Sequence, residues 1–137
     1  MIDNKIQGND TLVWNRLLAL LKEYNLQETA LMIGTGASTE FFTGKIKLSC
    51  TRQQLEANMK KPGYRSDNYY LFGNDLSAED VQWSGLHNIL PVGVVNKWIF
   101  QRQNASPEKI RQQIEKLKSS GLVYLQMDSD YLPYFTP

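Results

Sequence analysis

Histidine occurs once in the chain, at His87, and cysteine once, at Cys50, so any imidazole or thiol chemistry rests on these two side chains. An imidazole titrates near neutral pH and suits proton transfer, and Ser84, three positions before His87, lies within reach of it on a helix. The neighbours Gly85, Leu86, Ile89 and Leu90 are apolar, however, and no motif names a third partner for a nucleophilic triad. A structural histidine is the plainer reading. Cys50 has Lys45, Lys47 and Arg52 close to it in sequence and precedes a helix start, features that lower a thiol pKa. With His87 as the one candidate base, a small buried or half-buried thiol is again plainer. No catalytic residue is assigned on this basis. A single His and a single Cys leave no zinc site of the usual kind, and neither a metal nor a cofactor is expected.

Gly34-Thr35-Gly36-Ala37-Ser38 follows an apolar run, as a phosphate-cradling loop would, because glycines let backbone N–H groups approach an anion. The Gly-Lys-Ser/Thr ending is missing, and so is a third glycine at dinucleotide-binding spacing. A plain turn is expected. Asp128 and Asp130 alternate around a serine and could share a cation, yet the same residues are also ordinary turn formers. Lys60, Lys61 and Arg65 interleave with Tyr64, Tyr69 and Tyr70, a mixture that single-stranded nucleic acid would use. The charge balance argues against it: 15 Lys and Arg face 14 Asp and Glu, which leaves no net field to gather polyanions.

The elements that must position these residues follow from periodicity. Asn9 or Asp10 caps a helix running to about Asn25, with Val13, Leu17, Leu20, Leu21 and Tyr24 on one stripe. Residues 29–33 form a short buried strand, and residues 41–48, where Ile46 and Leu48 alternate with Lys45 and Lys47, form a second that pairs with it as a hairpin. Thr51 and Gln54 have capping-box spacing before a helix that Pro62-Gly63 ends. Residues 69–72 read as a strand, and Ser77 caps a helix with Glu79 and Asp80 in its first turn. Pro91 stops that segment, and residues 92–100, rich in β-branched and aromatic side chains, read as a strand. Ser106 and Pro107 open the last helix, Gly121 closes it, and residues 122–127 form the closing strand.

This order implies an α+β fold: a mixed or antiparallel sheet of about five strands with about four helices packed against it. Residues 1–137 are expected to form a single domain with a short apolar tail over 131–137. The longest apolar run, residues 17–21, is far short of the ~20 residues that cross a bilayer, so no membrane is expected. A lone cysteine and a start, Met1-Ile2-Asp3-Asn4, unlike a signal peptide point to the cytoplasm.

With no catalytic signature and many tyrosines, the expected function is that of a small intracellular protein-binding module, such as an immunity or inhibitor protein that neutralises a cognate toxin or enzyme. Its binding residues would be Tyr69 and Tyr70, the acidic Asp75, Glu79, Asp80, Asp128 and Asp130, and Tyr131 and Tyr134 of the tail. A protein is thus the expected partner and nucleic acid is not. The alternatives are a small enzyme using His87 with Ser84, Cys50 or a carboxylate, and a nucleic-acid-binding domain built on Lys60, Lys61 and Arg65.

Overall fold

The computed structural model describes residues 1–135. Its six strands stand in the order of the chain, β1 to β6, and all run parallel. This overturns the expected mixed or antiparallel sheet of about five strands. The decisive segment is 34–46: from the alternation of Lys45, Ile46, Lys47 and Leu48, residues 41–48 read as a strand in a hairpin with 29–33. The strand β2 (Leu31–Ile33) and the strand β3 (Lys47–Cys50) pair in parallel, with Met32 opposite Leu48, and the short helix α2 (Ala37–Glu40) lies between them. Parallel neighbours need a crossover of about a dozen residues or more, and 34–46 supplies it. Phe42 and Ile46 leave the strand pattern because the segment winds through turns, with the Lys45 and Ile46 N–H groups donating to the Phe42 carbonyl at 2.9 and 3.1 Å, and both side chains are buried in the core.

The chain divides into two compact units, residues 1–70 and residues from 71 onward, with the strand β4 (Tyr69–Gly73) straddling the division. In the first unit, β1 (Ile2–Asp3) pairs with β2, and the helix α1 (Thr11–Glu23) makes the crossover between them. Asp10 caps α1 by accepting from the Leu12 N–H at 3.0 Å. Trp14 and Leu21 of α1 bury against Met32, Phe42, Ile46 and Leu48, each such side chain contributing roughly 1.5–3 kcal/mol. The helix α3 (Arg52–Met59) opens on a complete Thr51–Gln54 capping box and inserts Leu55 into the interior. Tyr70, 0% exposed, ends this unit with its phenol donating to the Met32 carbonyl at 3.4 Å.

In the second unit the helix α4 (Ala78–Leu86) is capped reciprocally by Ser77 and Asp80, and Asn88 at φ 55° turns the chain out of it. The strand β5 (Leu90–Val95) then begins, and Pro91, expected to be a stop, is its second residue. A missing N–H is tolerated at the start of a strand. Val92 to Val95 are buried on both faces, as parallel strands require. The strand ends sooner than its composition implies, because the Asn96 side chain accepts from the Ile99 N–H at 2.8 Å and starts the helix α5 (Lys97–Arg102). The helix α6 (Pro107–Ser119) buries Ile114 and Leu117 before β6 (Tyr124–Met127), which pairs with β5 along its whole length. No helix among the described residues is long and apolar enough to cross a membrane.

Gly93 is fixed by packing: a Cβ there would stand 2.8 Å from both Leu122 Cδ1 and Leu125 Cδ1. Gly93→Ala is expected to destabilise the chain by about 1–3 kcal/mol, read as a lower urea midpoint at unchanged slope. Burial also pushes the Tyr70 phenol well above its ordinary pKa, outweighing a hydrogen bond with Ser49. The neutral phenol is the form that folding favours, so its contribution is intact below pH ~10 and is lost as pH rises towards the folded value. Urea midpoints measured from pH 8 to about 11 should therefore fall more steeply for the parent chain than for Tyr70→Phe.

Candidate functional site

In sheets of parallel strands joined by helices, the loops after the strands gather at one edge, the carboxyl end, and that is where ligands sit. In the first unit this edge holds a cleft of about 700 Å³. Its walls are the segment 4–9 after β1, the segment 34–38 after β2, Ser49 near the end of β3, and Gln54 in the first turn of α3.

A hydrogen-bonded network fixes the floor. The Asn4 N–H donates to the Ile33 carbonyl at 2.8 Å, continuing the β1–β2 pairing by one residue. The Asn4 amide nitrogen donates to Ser38 Oγ and to Thr39 Oγ1, both at 3.1 Å, while its amide oxygen accepts from the Ile6 N–H at 3.1 Å. Ser38 donates in turn to the Ile6 carbonyl at 3.1 Å, and Thr39 to the Thr35 carbonyl at 3.4 Å. Ser38 and Thr39 are buried, and hydroxyls in that position require such partners. The loop must come close for this to work. A Cβ on Gly34 would lie 2.5 Å from Thr39 Oγ1 and 3.1 Å from Asn4 Cβ, and Gly36 has φ 79°. The segment expected to be a plain turn is therefore a clamped loop leading into α2.

A second cleft, about 510 Å³, shares the Gly34-Thr35-Gly36 loop, Ser49 and Gln54, and is lined also by Glu40, Cys50, Asn58, Lys61 and Tyr69. The Cys50 thiol is 8% exposed and accepts a hydrogen bond from Asn58 Nδ2 at 3.8 Å. Burial pushes its pKa up, against the opposing effects of Asn58 and Lys61. A thiol held protonated in this way is a structural group and not an activated nucleophile.

His87 is the exposed C-cap residue of α4, with Nδ1 2.7 Å from the Trp83 carbonyl and its ring 4.5 Å from the Trp83 ring. Ser84 is 0% exposed and its hydroxyl donates to the Val81 carbonyl at 2.8 Å, so the structure forms no Ser84–His87 pair. Arg65 is engaged by Asp67 through two contacts of 3.1 and 2.7 Å, and this pairing holds the Asp67 carboxyl below its usual range. Tyr64 and Tyr69 stack on each other at 5.9 Å. The cations and aromatics of 60–70 are thus largely occupied with local partners. No group of three or more His, Cys, Asp or Glu able to hold a metal occurs among the described residues.

The residues expected to bind a partner have the following places. Tyr69 is half-buried in the stack with Tyr64, whereas Tyr70 belongs to the core and not to a surface. Asp75 pairs with Lys116 at 2.5 Å, Asp80 closes the Ser77 capping box, and Glu79 is exposed in the first turn of α4. Asp128 accepts from the Lys97 N–H at 2.7 Å, which ties the end of β6 to the start of α5, and Asp130 is exposed in the turn that follows. Tyr131 packs edge-on against Phe100 at 5.3 Å, and Tyr134 is exposed. Thr136 and Pro137 of the expected tail lie outside the described residues.

Asn4 and Thr39 carry no sign of this role in the sequence, and Ser38 is marked there only as part of the Gly34-Thr35-Gly36 loop. Two-residue β1 is too short to show a period, and only the neighbouring glycines signalled the loop. Comparison with family models, with curated proteins and with solved structures returns no match for this chain.

Asn4→Ala removes three hydrogen bonds and leaves two buried hydroxyls short of a partner. The expected loss is about 1–3 kcal/mol, measured by urea denaturation, with faster amide exchange confined to residues around 5–9 and 34–39.

Proposed function

We propose that this chain is a binding protein whose first unit takes a small polar molecule in the cleft at the carboxyl ends of β1, β2 and β3. The observation that carries this reading is the division of labour among the cleft's polar groups. Asn4, Ser38 and Thr39 are consumed by the floor. The side chains of Gln7, Asn9 and Thr35 are exposed on the walls and hydrogen bond to no group among the described residues. A rigid floor with uncommitted polar groups above it is what binding without a large ordering cost requires. Chemistry is not part of the proposal, because His87, Ser84 and Cys50 each serve the fold where they stand.

A protein-binding module of the immunity or inhibitor kind is the second reading, and a different feature favours it. In the second unit Trp98 is 61% exposed with the Arg102 guanidinium 4.7 Å from its ring centre, and Leu132 and Tyr134 are exposed as well. Tryptophan, arginine and tyrosine are the side chains that most often anchor protein interfaces.

Ligand-observed NMR with mixtures of sugars, amino acids and phosphate esters separates the two. The first reading expects a hit that weakens about fivefold for each of Gln7→Ala and Asn9→Ala, with unchanged thermal midpoints. No hit at all, together with a stoichiometric protein retained by the parent chain and lost by Trp98→Ala, would replace it with the second.

A further inference from the structure

We infer that the molecule held in the cleft is a neutral polyhydroxy compound, a sugar or polyol, and not an ion; the inference rests on the small-molecule reading of that cleft. The charges of the lining decide it. Asp3 and Lys5 are its only charged side chains among the described residues, and they pair with each other at 3.0 Å, so their charges cancel towards a ligand. An anion entering it would meet one ammonium already matched by a carboxylate, and a cation would meet the reverse. Either would give up hydration with no unmatched opposite charge in the walls to offset the loss.

The uncommitted groups fit hydroxyls instead. Gln7 and Asn9 each offer an acceptor oxygen and a donor NH₂ side by side, the pattern that two adjacent hydroxyls complement by donating one bond and accepting another. Gln54 contributes donors in particular, because its Oε1 is occupied by the Thr51 N–H at 2.8 Å while its Nε2 donates to no group among the described residues. Thr35 adds a hydroxyl able to act either way. A volume of about 700 Å³ lies within the range of small-ligand sites.

The test follows backbone ¹⁵N–¹H shifts of the full chain during separate titrations with glucose, maltose, myo-inositol, sodium phosphate, citrate and putrescine. The expected result is a saturable shift of Asn9, Thr35 and Gly36 with at least one of the three neutral compounds. It should persist in about 0.5 M NaCl, where ionic contacts are screened, and weaken about fivefold in Gln7→Ala. Saturation of the same resonances by phosphate, citrate or putrescine, with none by the neutral compounds, would overturn the polyol assignment while leaving the cleft a small-molecule site. Silence of these resonances towards every compound would overturn both the assignment and the reading beneath it.

Discussion

Two parallel strands cannot be joined by a tight turn, and the rest of this structure follows from meeting that requirement at every step of the chain. Each strand must be followed by a segment that leaves the sheet, returns to its starting edge and buries an apolar stripe on the way. The helix α1 does so with Trp14 and Leu21, and α6 with Ile114 and Leu117. Between β2 and β3 the segment is short, and its four-residue helix cannot bury a stripe by itself. Phe42 and Ile46, outside any regular element, take over that role, supported by the edge-on packing of Phe41 and Phe42 at 5.0 Å.

The same requirement makes the candidate site. Crossovers place every loop that follows a strand at one edge, so Asn4 and Ser38, far apart in sequence, meet there. Asn4 suits the joint because one amide gives two donors and one acceptor, enough to satisfy two buried hydroxyls and a backbone N–H together. Gly34 is the other half of the arrangement, since the closeness of Thr39 leaves no room for a Cβ. The cleft is thus shaped by residues whose hydrogen bonds are internal, and it is the side chains above them that remain for a ligand.

Many groups that look reactive or adhesive in the sequence have structural work instead. Asp80 and Asp128 satisfy N–H groups at the starts of α4 and α5, where a carboxylate also opposes the positive end of the helix. Ser84 returns its hydroxyl to its own helix, and Tyr70 fills the interior. Unlike these, Trp98 has most of its surface in solvent.

Local information determined a good part of the architecture. The caps at Asp10, Thr51, Ser77 and Ser106 were legible because each acts over three or four residues, and so were the helices they open and the strands at Tyr69–Gly73 and Tyr124–Met127. Strand direction was not legible. The alternation of Lys45, Ile46, Lys47 and Leu48 is the same whether the neighbour runs parallel or antiparallel, and only the pairing of Met32 with Leu48 decides between them. Nor does composition tell a buried strand from a buried helix in 92–100, where a side-chain bond from Asn96 sets the boundary. The candidate site was hidden for a similar reason: Asn4 and Thr39 carry no signal in their own neighbourhoods. They become a site through a contact across 35 positions that the crossover alone creates.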